Sequence, residues 1–472
     1  MSFVLMFTLQ CLFPIFDLNA EFTGVSIVNP DTQSQTFGVS VTSSDGSSGR
    51  GALVSLEPGA QRVASLKEIV PITPPSSGYI RIGPSLNSSL NNTCTSYVTF
   101  VTNQALTGVD GAPAPPPLPI PPPATLPPPI ATTLILPHIS INTGFAELDY
   151  TDTRIALINA SFTPANITAQ LFGTDGVLRG SVPLAFPFGI RIVRVSEAFQ
   201  KLLPNNGLGG KTFEGYVRLV SNTQIAAWQR IETPLSAGVL RGKSLDEIPT
   251  TSFATFPQFA FGGGYDSFIN LLNPSSSPLR LELTAYNDQG KTLGDVLQIT
   301  LAAGEERRAS VSEIFRIPVI ASFPAPLTAG SIRIREAQAQ PFQIIGDIQI
   351  VNSNAGSRSA AMLSPISDAG ARLWMMPFAI SSGGYFTGYA IANPNELLAV
   401  QTDVQLEVVN ADGTLKEQTA IQLSPLNRTA SLVPSGLPRG YLRFRSNFPI
   451  HVMGAVGTDD LRQLDLVPAI SQ

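Results

Sequence analysis

The sequence predicts an all-β chain built from four tandem copies of one unit. Three observations carry that prediction: a strand pattern that recurs four times, an apolar alternation of period two, and dense turn punctuation. The chain has 472 residues with 39 Gly and 40 Pro. Clusters of Gly, Pro, Asn, Asp and Ser separate short apolar runs along its length, which is the signature of strands and hairpins.

The copies can be laid on one another residue by residue. Each opens on an apolar residue and a proline: Phe13-Pro14, Leu136-Pro137, Phe256-Pro257 and Met376-Pro377. A strand then ends at Asn29, Asn159, Asn273 or Asn393. Two residues before the Asn stand Ile27, Leu157, Leu271 and Ile391, and four before it Val25, Ile155, Ile269 and Tyr389. Six before it stand small hydroxyl residues, Thr23, Thr153, Ser267 and Thr387. Side chains alternate across a strand, so this is one apolar face with a hydroxyl near its start. A second strand follows and ends in a tight turn at Asp45-Gly46, Asp175-Gly176, Asp288-Gln289-Gly290 or Asp412-Gly413. Asp-Gly suits a hairpin because its central positions require positive φ. A third run leads into "SLKEIV", "VSEAF", "VSEIF" or "SLVPSG", expected as a single helical turn. The last strands begin at Gly78-Tyr79-Ile80-Arg81, Gly215-Tyr216-Val217-Arg218, Gly330-Ser331-Ile332-Arg333 and Gly440-Tyr441-Leu442-Arg443. Their Arg residues, alternating with apolar neighbours, are expected to point outward and pair with carboxylates on adjacent strands.

Six to eight short strands in roughly 100–120 residues is the scale of an immunoglobulin-like β-sandwich. The expected units are residues 12–111, 131–251, 252–371 and 372–472. Between the first two lies the Pro-rich stretch "APAPPPLPIPPPATLPPPI", residues 112–130. Such a segment favours polyproline II at about 3.1 Å per residue and is expected as an extended linker holding the first unit away. A Pro-rich binding motif is the other reading.

The lead "FPQFAFGGGY" of the third copy, Phe256-Pro257-Gln258-Phe259-Ala260 with Gly262-Gly263-Gly264-Tyr265, resembles tandem repeats of uncharacterised secreted bacterial proteins. Those repeats share a Phe-Pro-x-Phe-Ala-x-Gly-Gly-Gly-aromatic lead, an Asn-Pro turn and a late Gly-aromatic-x-Arg-like strand. The resemblance covers nearly the whole chain, although the first copy lacks the glycines and the second has "NTGFAELDY" in their place. It implies an extracellular array of immunoglobulin-like sandwiches and brings no catalytic residues.

Charge and composition exclude several classes. Charged residues make up 13 % and the net charge is −5, so no basic stripe is available for nucleic acid. No apolar stretch is long enough for a membrane-spanning helix. The start, "MSFVLMFTLQCLFPIF", is like a signal-peptide core without its basic end, the first Arg or Lys being Arg50. Cleavage after Ala20 would remove Phe13-Pro14, so an atypical signal or a misplaced start is expected. The two cysteines, Cys11 and Cys94, leave a single bridge or two unrelated thiols open.

Candidate sites are few. Gly262-Gly263-Gly264 precedes a strand, whereas a phosphate loop follows one and opens a helix, so a tight strand entry is expected. Gly210-Lys211-Thr212 is the tail of a phosphate loop without its first Gly, and is set aside. Of the two histidines, His138 occupies a repeat position and reads as no special base; His451 lies in a terminal strand, and neither has metal-ligand spacing. Glu147, Asp149 and Asp152 cluster in one longer loop and form a weak calcium candidate. Tyr265 and Tyr385, at equivalent positions beside glycines, are candidate ligand-binding aromatics. No cofactor is expected. The expected function is that of a non-catalytic structural or adhesive protein outside the cell or on its surface. Its protein or glycan partner is open, and self-association through strand edges is one route. The alternatives are a carbohydrate-binding array and a glycosidase with carboxylates assembled between units.

Overall fold

The computed structural model describes residues 11–471 except 16–21, 45, 47–48, 71–76, 85–95, 102–105, 111, 114–131, 144–149, 160, 162, 206–209, 234–236, 318–325, 353–358, 364–365, 368–369, 397–400 and 461–462. The expected linker, Cys94, Asp45, Glu147 and Asp149 therefore lie outside the described residues, apart from Ala112 and Pro113 at the linker's start.

The second copy displays the plan. One sheet has five strands in the order Leu178–Phe186, Ala165–Gly173, Thr212–Ser221, Thr132–Asn142, Lys243–Ser244. The other has four, Gly189–Arg194, Asp152–Asn159, Ala226–Glu232, Ala237–Arg241. Ile139, Leu171 and Leu219 of the first sheet share a core with Ile155, Leu157 and Ala227 of the second. The first and third copies repeat both strand orders. In the fourth copy the two sheets are joined because one long strand, Leu437–Thr458, runs through both. Among the described residues helix is confined to single turns such as Leu66–Ile69, Val195–Ala198 and Val311–Ile314. The fourth copy has the same strand, Arg428–Leu432, as the others have before their turn, but the expected helical turn at "SLVPSG" is not helical.

The recurring residues each have a job. The four Asn side chains are buried, between 0 % and 1 % exposed. Asn273 Nδ2 donates to Ser277 O, Leu301 O and Ala302 O, while its Oδ1 accepts from Ser275 N. Asn29 and Asn393 bind the same two turns in their copies. An apolar residue there would orphan two buried turns at once. The small hydroxyls clip the opening strand: Thr153, Ser267 and Thr387 each donate to a carbonyl and accept from an N–H of that strand. The Pro of that strand sits at a register shift in the last three copies, between Leu136 and Ile139, Phe256 and Phe259, and Met376 and Ala379. A bulge accommodates a residue that cannot donate to the ladder. Gly262, Gly263 and Gly264 all have positive φ and turn the chain into strand Tyr265–Leu272, as expected of a tight strand entry.

The copies are not strung out in a line. In each copy an N–H 31 to 35 residues after the Asn, at the start of a strand, donates to a carbonyl of the previous copy's hairpin turn. Ile190 N reaches Ser44 O at 3.3 Å, Glu306 N reaches Thr174 O at 2.8 Å, Arg428 N reaches Asp288 O at 3.1 Å, and Gln61 N reaches Ala411 O at 2.8 Å. The last of these joins the fourth copy to the first and closes a ring. Strands Leu106–Asp110, Ala237–Arg241, Ser359–Leu363 and Leu464–Pro468, one from each copy, touch in cyclic order. The first core even continues across its junction, joining Ile27 and Tyr79 to Ala156, Ile190 and Trp228. The expectation that the Pro-rich stretch holds the first unit away is therefore corrected: strand Leu106–Asp110 of the first copy packs against Ala237–Arg241 of the second.

The conserved geometry explains the turn glycines and the late tyrosines. Gly46, Gly176, Gly290 and Gly413 all have positive φ, and a Cβ on any of them would meet the next copy's turn at 2.5 Å to 3.0 Å. Tyr216 stacks on Phe172 at 4.9 Å and faces Leu272 across the junction, while Tyr441 OH donates to Gly59 O at 2.8 Å. At the third junction Ser331 replaces the tyrosine, and Arg428 fills in by donating to Gly330 O at 3.0 Å. The expected outward Arg pairing holds for Arg443 with Glu407. It fails for Arg333, which is buried over the Phe253 ring and reaches Glu396 of the next copy at 2.9 Å.

Two outcomes test the ring. Gly176→Ala and Gly383→Ala both force a Cβ into positive φ, at about 1–2 kcal/mol. Gly383 has nothing within 4 Å, whereas a Cβ on Gly176 would lie 2.8 Å from Ala303 O. Denaturant unfolding is expected to show Gly176→Ala costing about 1–3 kcal/mol more. Cutting the chain within residues 114–130 is expected to leave the first copy bound to the rest in size-exclusion chromatography. Its release as a free fragment would contradict a closed ring.

Candidate functional site

Each junction brings together the same positions. Two residues of one copy meet its predecessor: the one three before its Asn, and the one that carries the junction hydrogen bond. At the fourth-to-first junction these are Ser26 and Gln61. Ser26 Oγ donates to Pro377 O at 2.7 Å, and Gln61 Nε2 donates to the same carbonyl at 2.8 Å. At the first-to-second junction they are Ala156 and Ile190, in an apolar core with Trp228. At the third-to-fourth they are Ala390 and Arg428.

The second-to-third junction is different in kind. Here the two positions are Asn270 and Glu306, and Asp347 stands opposite Asn270 on the neighbouring strand. The bulge residue facing them is His138. All four are buried, His138 at 3 %, Asn270 at 1 %, Glu306 at 4 % and Asp347 at 0 % exposed. His138 has φ +58, unlike the bulge residues Gln258 and Phe378. Its N–H donates to Glu306 Oε1 at 2.8 Å. The polarity of the fourth-to-first junction is thereby reversed: there the bulge accepts, here it donates. Gln229 Nε2 of the same copy takes the displaced Pro137 carbonyl. A left-handed non-glycine residue is strained, and such strain is concentrated at functional sites.

The side chains complete a network. His138 Nδ1 lies 3.2 Å from Asp347 Oδ2. Asn270 Nδ2 donates to Glu306 Oε1 at 2.7 Å and to Asp347 Oδ1 at 3.2 Å. Burial alone would lower the imidazole's proton affinity. The charge and hydrogen bond of Asp347 outweigh it, so the His138 pKa is raised. Burial pushes the Glu306 carboxyl up to about 7, against the opposing pull of His138 and Asn270. A cavity of about 540 Å³ adjoins the cluster, with His138, Asn270, Glu306, Glu214, Phe268 and Arg308 among its walls. Ser310 also lines it, but its hydroxyl is engaged by Asp266 at 3.3 Å and Ser312 at 2.9 Å.

The sequence-derived candidates lie elsewhere. Asp152 is buried, and its carboxylate takes hydrogen bonds from Thr153 N at 2.8 Å and Ser196 Oγ at 2.6 Å, with Arg194 at 3.6 Å. Its oxygens are thus committed to the protein. Tyr265 is half-buried against Ala260, Ile350 and Met453 at the third-to-fourth junction. Tyr385 is half-buried beside Gly383 and Gly384, around which space is open. Lys211, from the partial phosphate-loop match, binds Asn205 Oδ1 at 2.8 Å and Leu203 O at 3.1 Å. His451 is buried beside Phe253, with rings 6.1 Å apart. Among the described residues no group of three or more His, Cys, Asp or Glu is arranged to hold a metal. Cys11 is buried and disulfide-bonded, and the chain's one other cysteine is Cys94.

Sequence reasoning passed over His138 because it compared the copies for likeness. The signal was in their differences: Glu306 stands where the other copies have Gln61, Ile190 and Arg428.

No protein-family model matches the chain, and no curated protein matches it. Among solved structures, the BSP domain of a biofilm-associated protein aligns over 99 % of this chain and 93 % of its own, at 8 % identity and a TM-score of 0.14. The structure of infectious bursal disease virus Gt strain aligns over 94 % of this chain and 85 % of its own, at 10 % identity and a TM-score of 0.10. Likenesses this distant carry no argument about function.

The cluster sets a pH dependence. Glu306 has a folded pKa of about 7 against an ordinary 4.5, so its burial costs nothing well below 4.5 and costs most above 7. His138, raised above 6.5, stabilises below 6.5 and loses that contribution as pH rises through its folded value. Both terms favour the acid side. Glu306→Gln, which copies Gln61, is expected to flatten the stability change between about pH 5 and pH 8. Near pH 8 it should stabilise by on the order of 1–3 kcal/mol, read by thermal denaturation. An unchanged pH slope would show that Glu306 does not titrate there.

Proposed function

We propose that the chain is a set of four immunoglobulin-like β-sandwich repeats closed into a ring, with units at 12–111, 131–251, 252–371 and 372–472. In this reading it acts as a non-catalytic structural or adhesive protein outside the cell, of the kind found in secreted bacterial repeat proteins. The observation that carries the reading is the set of outermost strands. Gly49–Leu56, Leu178–Phe186 and Thr292–Leu301 each end a five-stranded sheet, and Leu415–Leu423 ends the joined sheet of the fourth copy. Each carries an exposed apolar residue: Leu53 at 68 %, Leu178 at 46 %, Val296 at 49 % and Leu415 at 52 %. An unpaired edge with an apolar side chain is a template for another strand, and the ring repeats it in every copy. The disulfide at Cys11 fits an oxidising compartment. No helix among the described residues is long and apolar enough to cross a membrane.

Carbohydrate binding is the second reading, and Tyr385 with the open space around Gly383 and Gly384 favours it. Tyr265 gives it less support, since it packs into the junction beside it.

The edge reading is tested by light scattering over a concentration series and by adhesion to surface proteins. Leu53→Lys, Leu178→Lys, Val296→Lys and Leu415→Lys together are expected to abolish assembly or adhesion, while Tyr385→Ala leaves both intact. Glycan binding lost with Tyr385→Ala would transfer the function to carbohydrate recognition. Turnover of a polysaccharide or ester substrate that disappears in Glu306→Gln would make the chain an enzyme.

A further inference from the structure

We infer that the cavity at the junction of the second and third copies binds a primary ammonium group. The argument starts from hydrogen-bond accounting. Asn270 Nδ2 is committed to two carboxylates, Glu306 and Asp347. That fixes the orientation of the amide, because a reversed Asn270 would set its oxygen against both carboxylates. Its Oδ1 is then the open end, and it has no partner. Glu306 Oε1 accepts from His138 N and Asn270 Nδ2, and Glu306 Oε2 is likewise buried without a partner. Both residues are more than nine-tenths buried and both line the cavity. Each orphaned buried group costs about 1–3 kcal/mol.

The two orphans are both acceptors, so the missing partner is a donor. Charge narrows it further. The carboxylates of Glu214, Glu306 and Glu313 line the cavity, and Asp347 stands directly behind. Against them are Arg307, Arg308 and the imidazole. The Arg308 guanidinium is already held by Gln349 at 2.7 Å and lies over the Phe268 ring at 5.0 Å. An excess of negative charge in a partly enclosed site favours a cation. A divalent metal is a poor match for one free carboxylate oxygen and one amide oxygen. An ammonium carries three donors and one positive charge, enough for both orphans and for the charge. No other junction provides this, because Ser26 with Gln61, Ala156 with Ile190, and Ala390 with Arg428 stand at the matching positions.

Two sources supply such a group, a lysine side chain and an amino sugar. Titration calorimetry near pH 8, where Glu306 is ionised, uses n-butylamine for the first and glucosamine for the second, with glucose as the uncharged control. At least one amine is expected to bind, glucose is not, and Glu306→Gln is expected to weaken binding by roughly tenfold or more. Because Gln61 occupies the same position in a folded junction, Glu306→Gln is expected to fold; its thermal transition checks this. Binding of n-butylamine alone assigns the site to a lysine side chain, and of glucosamine alone to an amino sugar. The inference is overturned if neither amine binds at about 30 mM, if glucose binds as well as glucosamine, or if Glu306→Gln binds unchanged.

Discussion

The hydrogen bond from an N–H at the start of a strand to a carbonyl in the preceding copy's hairpin turn is the constraint on which the molecule depends. It recurs at Ile190, Glu306, Arg428 and Gln61. Backbone groups make it, so it survives any change of side chain at those positions. It does demand that two turns approach closely enough to exclude a Cβ. That demand accounts for Gly46, Gly176, Gly290 and Gly413, which a hairpin alone would explain only in part. Each glycine satisfies two conditions at once, positive φ within its own copy and contact with the next.

A backbone-defined junction leaves the side chains around it free to diverge. The four junctions use that freedom in four ways: an apolar core around Trp228, a buried ionic cluster around His138, arginines at Arg333 and Arg428, and neutral hydrogen bonds at Gln61. An apolar filling is the least costly of these, since buried ions lose their hydration. The ionic junction therefore needs a reason beyond stability. Its strained bulge, its two orphaned acceptors and its adjoining cavity all occur at the one junction, which is where a function would account for them.

Much of the fold was legible in the sequence because the copies repeat. Period-two alternation located the strands, Asp-Gly the hairpins, and the buried Asn the pivot of each unit. Closure was not legible, because nothing in a linear comparison says that Ala411 meets Gln61. The Pro-rich stretch pointed the other way, and composition there described stiffness without saying where the two ends must lie. The site was hidden for a related reason. His138, Asn270, Glu306 and Asp347 lie far apart in the chain, on two copies. They become neighbours only through the junction hydrogen bond, whereas Asp152 and Tyr265 stand close to loops and glycines that a linear sequence displays.

Closure also changes what each junction has to supply. A linear array of four copies has three junctions, and its end copies can detach by breaking one. In the ring every copy is held on two sides, so detaching any of them breaks two junctions. The chain connects the partners covalently, and the fourth junction forms at a high effective concentration. A junction can then carry costly groups, such as a raised-pKa Glu306, without coming apart. The same coupling runs in reverse. A ligand that satisfies the orphaned acceptors binds only the formed junction, and its binding free energy adds to the stability of the ring by mass action. A site at a junction is thereby linked to the closure of the whole molecule, which a site within one copy would not be.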